Sequence, residues 1–120
     1  MSRSDLSRLA DIVEAIGAIQ GHLARGGLDD ELVYDAVRVR IIEIGEAVDG
    51  ISEDLLATAP DVPWEAIARM RDHLARRDFD ADRSIVRDVV TDQLGPLLYA
   101  VRSLLDQMDR PAGEPPPAVA

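Results

Sequence analysis

The chain has 120 residues, enough for one hydrophobic core without covalent staples, and it contains no cysteine, which excludes disulfides and thiolate metal sites. With 23 acids against 13 arginines and no lysine, its formal charge of −10 argues against a general affinity for nucleic acid, because phosphate binding needs local positive potential. An apolar share of 47% with only 3% aromatic residues points to a folded protein packed by aliphatic helices, and the lack of a long uncharged apolar run or a signal-peptide pattern sets the expectation of a cytoplasmic protein with no membrane contact.

Ser2 and Asp5 stand in the S-x-x-D relation of a capping box and predict a helix from the start of the chain. Leu6, Leu9, Val13, Ile16, Ile19 and Leu23 follow at three- and four-residue steps, the spacing of one buried face, and Gly26-Gly27 ends the helix. Asp29 and Asp30 are suitable caps for a second helix, about 30–49. That helix is apolar on more than one side, so it should be covered from several directions. Its charged residues Arg38, Arg40, Glu43 and Glu46 need partners if buried. Glu43 and Glu46 share a face at i, i+3, but no Glu-x-x-His occurs anywhere in the chain, so ion pairing with arginine is preferred to metal ligation. Gly45 in mid-helix costs stability relative to alanine and predicts a close helix crossing.

Residues 50–60 read as a junction with a short extra turn around Ser52 to Ala59. Pro63 suits the first turn of a third helix capped by Asp61 or Val62, with Trp64, Ile67, Ala68, Leu74 and Ala75 as its buried stripe. Arg71 falls at Ile67 plus four, inside that stripe, where an arginine is unusual. It is either a buried partner of the second-helix glutamates or an active-site guanidinium at an interface. Asp78-Phe79-Asp80 reads as a turn with Phe79 plugging the core, and Asp80 or Asp82 as the cap of the next helix. Val86, Val90, Leu94, Leu97, Val101, Leu104 and Met108 make a long packing seam, interrupted at Gly95-Pro96 by a kink or a break. The expectation is an all-α, four- to five-helix antiparallel bundle over residues 1–110, with a disordered proline-rich tail at 111–120. The surplus of apolar face predicts a homodimer.

Charge is unevenly placed. Between positions 69 and 87 six arginines (Arg69, Arg71, Arg76, Arg77, Arg83, Arg87) face four acids, a net of +2, while the remainder carries seven arginines against 19 acids, a net of −12. A basic segment on an acidic chain is a candidate anion or nucleic-acid site, or simply a solvated helix end.

Ile44-Gly45-Glu46-Ala47, Pro63-Trp64, Arg71-Asp72, Phe79-Asp80, Ile85-Val86 and Pro96-Leu97-Leu98, in this order and spacing across positions 5 to 108, resemble the HepT-like toxins of the HEPN superfamily. The resemblance implies a dimeric helical bundle, a metal-independent ribonuclease site at the dimer interface that needs no cofactor, RNA rather than DNA as substrate, and an MNT-type nucleotidyltransferase antitoxin as partner. In that family the antitoxin is understood to silence the toxin by transferring AMP to a tyrosine.

The family motif R-x4-H-x-Y places its arginine at Arg71, followed by Asp72 where a small polar residue is usual. At the histidine position this chain has Arg76, and at the tyrosine position Asp78. Arginine stays protonated, so Arg76 can hold a phosphate but cannot act as a base. Asp78 cannot accept AMP through a phenol, though it adds negative charge where a modified tyrosine would. His73 is two residues from Arg71, about 200° around the helix, and is expected to face away as a surface residue; His22 is expected to be exposed at the end of the first helix. Arg69, Arg71, Arg76 and Arg77 are the candidate RNA contacts, with Asp72, His73, Glu43 and Glu46 as supporting residues.

Overall fold

The computed structural model describes residues 2–76 and 79–108, the side chains of 79–81 and 108 excepted. It contains helices α1 (Arg3–Arg25), α2 (Glu31–Asp49), α3 (Glu53–Leu56), α4 (Trp64–Ala75), α5 (Phe79–Asp88) and α6 (Leu94–Met108), with a π-helical turn (Val89–Gln93) joining the last two. Counting α5 to α6 as one rod, the result is a five-helix, all-α bundle. The expected proline-rich tail lies outside the described residues.

The α1 start follows its sequence signal. The Ser2 hydroxyl accepts from the Asp5 amide at 3.0 Å, and the Asp5 carboxylate accepts from the Ser2 amide at 3.4 Å. The buried face is shifted from the expected one, however. Leu9, Ile12, Ala15, Ile16 and Ile19 are buried, Val13 and Leu23 are half-buried, and Leu6 is 41% exposed. Asp5 takes the inner position of the first turn because the α2–α3 junction supplies donors: its carboxylate accepts from the Ser52 amide at 2.9 Å and from the Ser52 hydroxyl at 2.8 Å. One carboxylate thus closes the first helix and ties the junction to it. The Ser52 hydroxyl is consequently not a cap for α3.

Asp30 caps α2 as expected, accepting from the Leu32 amide at 2.9 Å and the Val33 amide at 3.4 Å. Val37, Ile41, Ile44 and Val48 form the inner face of α2, packed between α1 on one side and α4 on the other, while α6 covers α1. Each such aliphatic side chain contributes roughly 1.5–3 kcal/mol of burial. At the α2 end, Gly50 leaves room for the Arg8 guanidinium, which lies where a Cβ would otherwise be.

Neither Asp61 nor Val62 caps α4. Pro63 precedes its first residue without a side-chain cap, and the start is held instead by Trp64, whose amide donates to the Val62 carbonyl at 2.8 Å and whose indole donates to the Ala59 carbonyl at 2.9 Å. Trp64, Ile67 and Leu74 are buried as the stripe predicts, but Ala68 is only half-buried and Ala75 is exposed, since the helix ends there. Asp80 and Asp82 lie inside α5 rather than capping it, because the helix already includes Phe79.

The helix runs through Gly95-Pro96 without a break. Proline lacks an amide and crowds the carbonyl four residues back. The chain accommodates this by widening the turn just upstream, where the Leu94 amide reaches back five residues to the Val89 carbonyl. The wide turn also moves the seam: Val86, Val89, Leu94, Leu97, Val101 and Leu104 are buried, with a five-residue step across the π turn, and Val90 is only half-buried. Met108, expected to end the seam, has no described side chain.

Candidate active site

Arg71 sits where α2 and α4 cross. A Cβ on Gly45 would lie 3.1 Å from the Arg71 Cβ, 3.2 Å from its amide nitrogen and 3.1 Å from the Ile67 carbonyl oxygen, so the glycine lets the two backbones approach as the sequence predicts. The crossing fixes the root of Arg71, leaving its side chain 34% exposed at the edge of the interface.

Its partners differ from those expected. Arg71 Nη1 lies 3.4 Å from Asp49 Oδ2, and Arg71 Nε lies 3.4 Å from Asp72 Oδ1; the α2 glutamates are not its counterions. Glu43 pairs with Arg40 on its own helix at 3.1 Å, and both Glu43 and Glu46 line a groove of about 290 Å³ between α1 and α2. The reason is register: Asp49 is four residues beyond Gly45, one turn along the α4-facing side, whereas Glu43 and Glu46 face α1. Partial burial opposes the charge on Arg71, but Asp72 beside it, and then Asp49, outweigh that effect and hold the guanidinium protonated more firmly than a free arginine. Both acids are 59% exposed, and exposed pairs are worth little, so the guanidinium can exchange them for a phosphate at small cost.

Arg69 is exposed nearly two turns before the end of the helix, and Arg76 is exposed immediately after Ala75 in α-helical backbone geometry. His73 is exposed, in agreement with its expected orientation; His22 is half-buried rather than fully exposed. Arg77 and Asp78 lie outside the described residues, as does the side chain of Phe79 and with it the expected core plug.

Two relationships near this corner were not read from the sequence. Arg38, 12% exposed, donates from Nη2 to the Leu74 carbonyl and places Nε 3.8 Å from Asp82 Oδ2, on a carboxylate that is 5% exposed. The signal was available in part, since Arg38 stood out as a charge on a largely apolar helix. Asp82 resembled a cap, which hid its partner. One turn before Arg38, Tyr34 is buried, with the Arg83 guanidinium 4.7 Å from its ring centroid. Burial, reinforced by the Asp82 charge, raises the Tyr34 phenol above its ordinary range.

A groove of about 410 Å³ beside α4 is lined by Asp49, Glu53 and Glu65 as well as Trp64, and its acids make it a poor seat for phosphate.

Comparison with known proteins shows the family. The family model for ribonuclease HepT-like proteins matches residues 8–104, and the chain belongs to that family. A Thermococcus cleftensis protein named as a ribonuclease HepT is 32% identical over 101 residues, 81% of this chain and 92% of the relative. A Methanocaldococcus jannaschii protein named as an RNase is 36% identical over 82 residues, 68% of each chain. A longer protein of the same organism, named as a gamma-glutamylcyclotransferase and RNase, is 28% identical over 106 residues; the match covers 85% of this chain but 48% of that protein. No solved structure matches the chain. Among the described residues no helix is long and apolar enough to cross a membrane.

Proposed function

We propose that this chain is the toxin-side component of a HepT-type pair, a HEPN dimer that binds RNA across a cleft to which each subunit contributes Arg71 and Arg76. The observation that carries the reading is Arg71, rooted at the Gly45 crossing and paired, among the described residues, with the exposed carboxylates of Asp49 and Asp72. Dimerisation is supported by the apolar surface left on one protomer: Leu32 and Val39, seven residues apart on one side of α2, are 82% and 47% exposed, and Tyr99 on α6 is 66% exposed.

Metal-independent RNA cleavage of this type has the 2′-oxygen attack the adjacent phosphorus as its proton is removed, while the departing 5′-oxygen gains a proton. A histidine near neutral pKa suits both transfers. Arg76 stays charged and serves phosphate binding and charge stabilisation instead. Cleavage by this chain is therefore slow, and RNA binding is the property that persists. A second reading, a catalytically inactive dimer retained as the docking partner of a nucleotidyltransferase antitoxin, is favoured by the same substitutions of Arg76 and Asp78 for the motif's histidine and tyrosine.

Binding of a labelled single-stranded RNA, measured beside an Arg71→Ala variant, tests the first reading. The variant should bind roughly tenfold more weakly, the scale of one lost charge-assisted contact. Equal affinity of the two proteins overturns the assignment of Arg71. Absence of RNA binding together with capture of a nucleotidyltransferase favours the second reading, and a monomer at micromolar concentration in sedimentation contradicts the composite cleft.

A further inference from the structure

The α4–α5 turn carries the most altered part of the motif, and a single α2 side chain holds both of its ends. Arg38 Nη2 donates to the carbonyl of Leu74, in the last turn of α4, while Arg38 Nε faces Asp82 Oδ2 at 3.8 Å, in the first turns of α5. Leu74 is fully buried and the Asp82 side chain 5% exposed, so this junction is inside the protein rather than on its surface. The other carboxylate oxygen of Asp82 has no hydrogen-bond donor among the described residues, which leaves Arg38 as the described cation that balances it. A buried carboxylate is retained only with such compensation.

Arg38 also lies seven residues before Gly45, two turns along the same side of α2. That helix therefore grips α4 at two levels: backbone against backbone at Gly45 and Arg71, and guanidinium to carbonyl at Arg38 and Leu74. Arg76 follows two residues after the Leu74 carbonyl that Arg38 holds, so the α2 contact sets the end of α4 from which Arg76 projects. Arginine suits the span because its planar fork donates from Nη2 to the Leu74 carbonyl while its other edge, at Nε, faces the Asp82 carboxylate as an ion pair. Lysine would keep the charge and one contact but not both.

We propose that Arg38 and Asp82 form a brace that fixes the end of α4, and with it Arg76, relative to α5 and Arg71, making both of them positioning residues for RNA binding at Arg71 and Arg76. The brace rests on the ribonuclease reading for its purpose, but not for its existence. Neither residue touches the RNA; each acts through the placement of Arg76.

The test compares the full chain with Arg38→Lys and with an Arg38→Met, Asp82→Leu double variant, reading thermal stability, affinity for a labelled single-stranded RNA, and hydrogen exchange of amides 74–82. Both variants preserve net charge, so a change in affinity is not a general electrostatic loss. The double variant replaces a buried ion pair by apolar side chains, a change that commonly leaves stability intact, and it keeps the experiment decisive if Arg38→Lys folds poorly. The expected result is a folded variant that binds RNA roughly tenfold more weakly and exchanges faster across 74–82. Unchanged affinity in folded variants overturns the brace as a positioning device. An unaltered chain that leaves RNA unbound refutes the ribonuclease reading and the purpose assigned to the brace; exchange as slow in the variants as in the unaltered chain refutes the brace itself.

Discussion

Gly45 and Arg71 share one contact: a Cβ on the glycine would stand 3.1 Å from that of the arginine, so the absent side chain on α2 allows the motif residue on α4 to sit against the helix backbone. Gly45→Ala sets two effects against each other, a gain of about 1 kcal/mol in helix propensity and a steric cost of about 1–3 kcal/mol from overpacking against backbone that cannot swing away. The steric term wins, and urea denaturation should show a net loss. Gly17, with nothing within 4 Å of its would-be Cβ, is the control: Gly17→Ala should stabilise by about 0.5–1 kcal/mol. If both changes stabilise, the crossing is looser than described.

Acid should loosen the junction between α1 and α3. The Asp5 carboxyl is held below the ordinary carboxylate range chiefly by the Ser52 amide, then by the Ser52 hydroxyl, against a smaller opposing effect of burial. Its folded pKa is depressed, so its contribution is present above the unfolded value of about 3.9 and is lost as pH falls through the lower folded value. Asp5→Asn should be less stable at neutral pH and should lose part of the acid-induced decline. Parallel stability curves for the two proteins between pH 5 and pH 2, a window of about three units around that carboxylate range, would contradict this.

Alkaline titration reads the surroundings of Tyr34. Tyr34 is buried and its phenol is raised first by desolvation and then by the Asp82 charge. Absorbance should show a late phenol, ionising above the ordinary tyrosine range. With the folded pKa raised, the stability from Tyr34 is complete below about 10, the unfolded value, and fades as pH climbs through the folded one. Asp82→Asn should shift the late phenol downward; an unmoved titration would remove Asp82 from its surroundings.

Trp64 is the single tryptophan, and its indole hydrogen bond to Ala59 holds the start of a helix that lacks a side-chain cap. Trp64→Phe should cost about 1–3 kcal/mol, a hydrogen bond plus the unpaired carbonyl. In the unaltered protein, a blue-shifted emission that moves red in the same transition as the far-UV signal would show that α4 melts with the bundle.

Much of this fold was legible because the signals were local. The Ser2–Asp5 box, the Asp30 cap, the Gly26 stop and the Gly45 crossing each follow from residue type at a fixed offset, and all are found. Two of the failures come from contacts distant in sequence and one from a local widening of the helix. Asp5 faces inward because Ser52, 47 residues away, offers two donors. Arg71 pairs with Asp49 rather than the glutamates because the inter-helix register, which no periodicity reports, sets which α2 turn it meets. The π turn before Pro96 moved Val89 into the seam in place of Val90. At the candidate site, residue order alone nominated Arg71 and Arg76, while the Arg38–Asp82 pair needed the fold to bring residues of α2 and α5 together.

The most direct measurement is cleavage of a single-stranded RNA by the unaltered chain beside an Arg76→His, Asp78→Tyr double variant, both at neutral pH. Restoring a proton-transferring group is worth about 10²–10⁴ in rate, so the double variant should cleave at least about a hundredfold faster while the unaltered chain binds RNA and cuts it slowly. Cleavage by the unaltered chain as fast as by the double variant would contradict the assignment of Arg76 as a phosphate-holding residue that cannot move the proton.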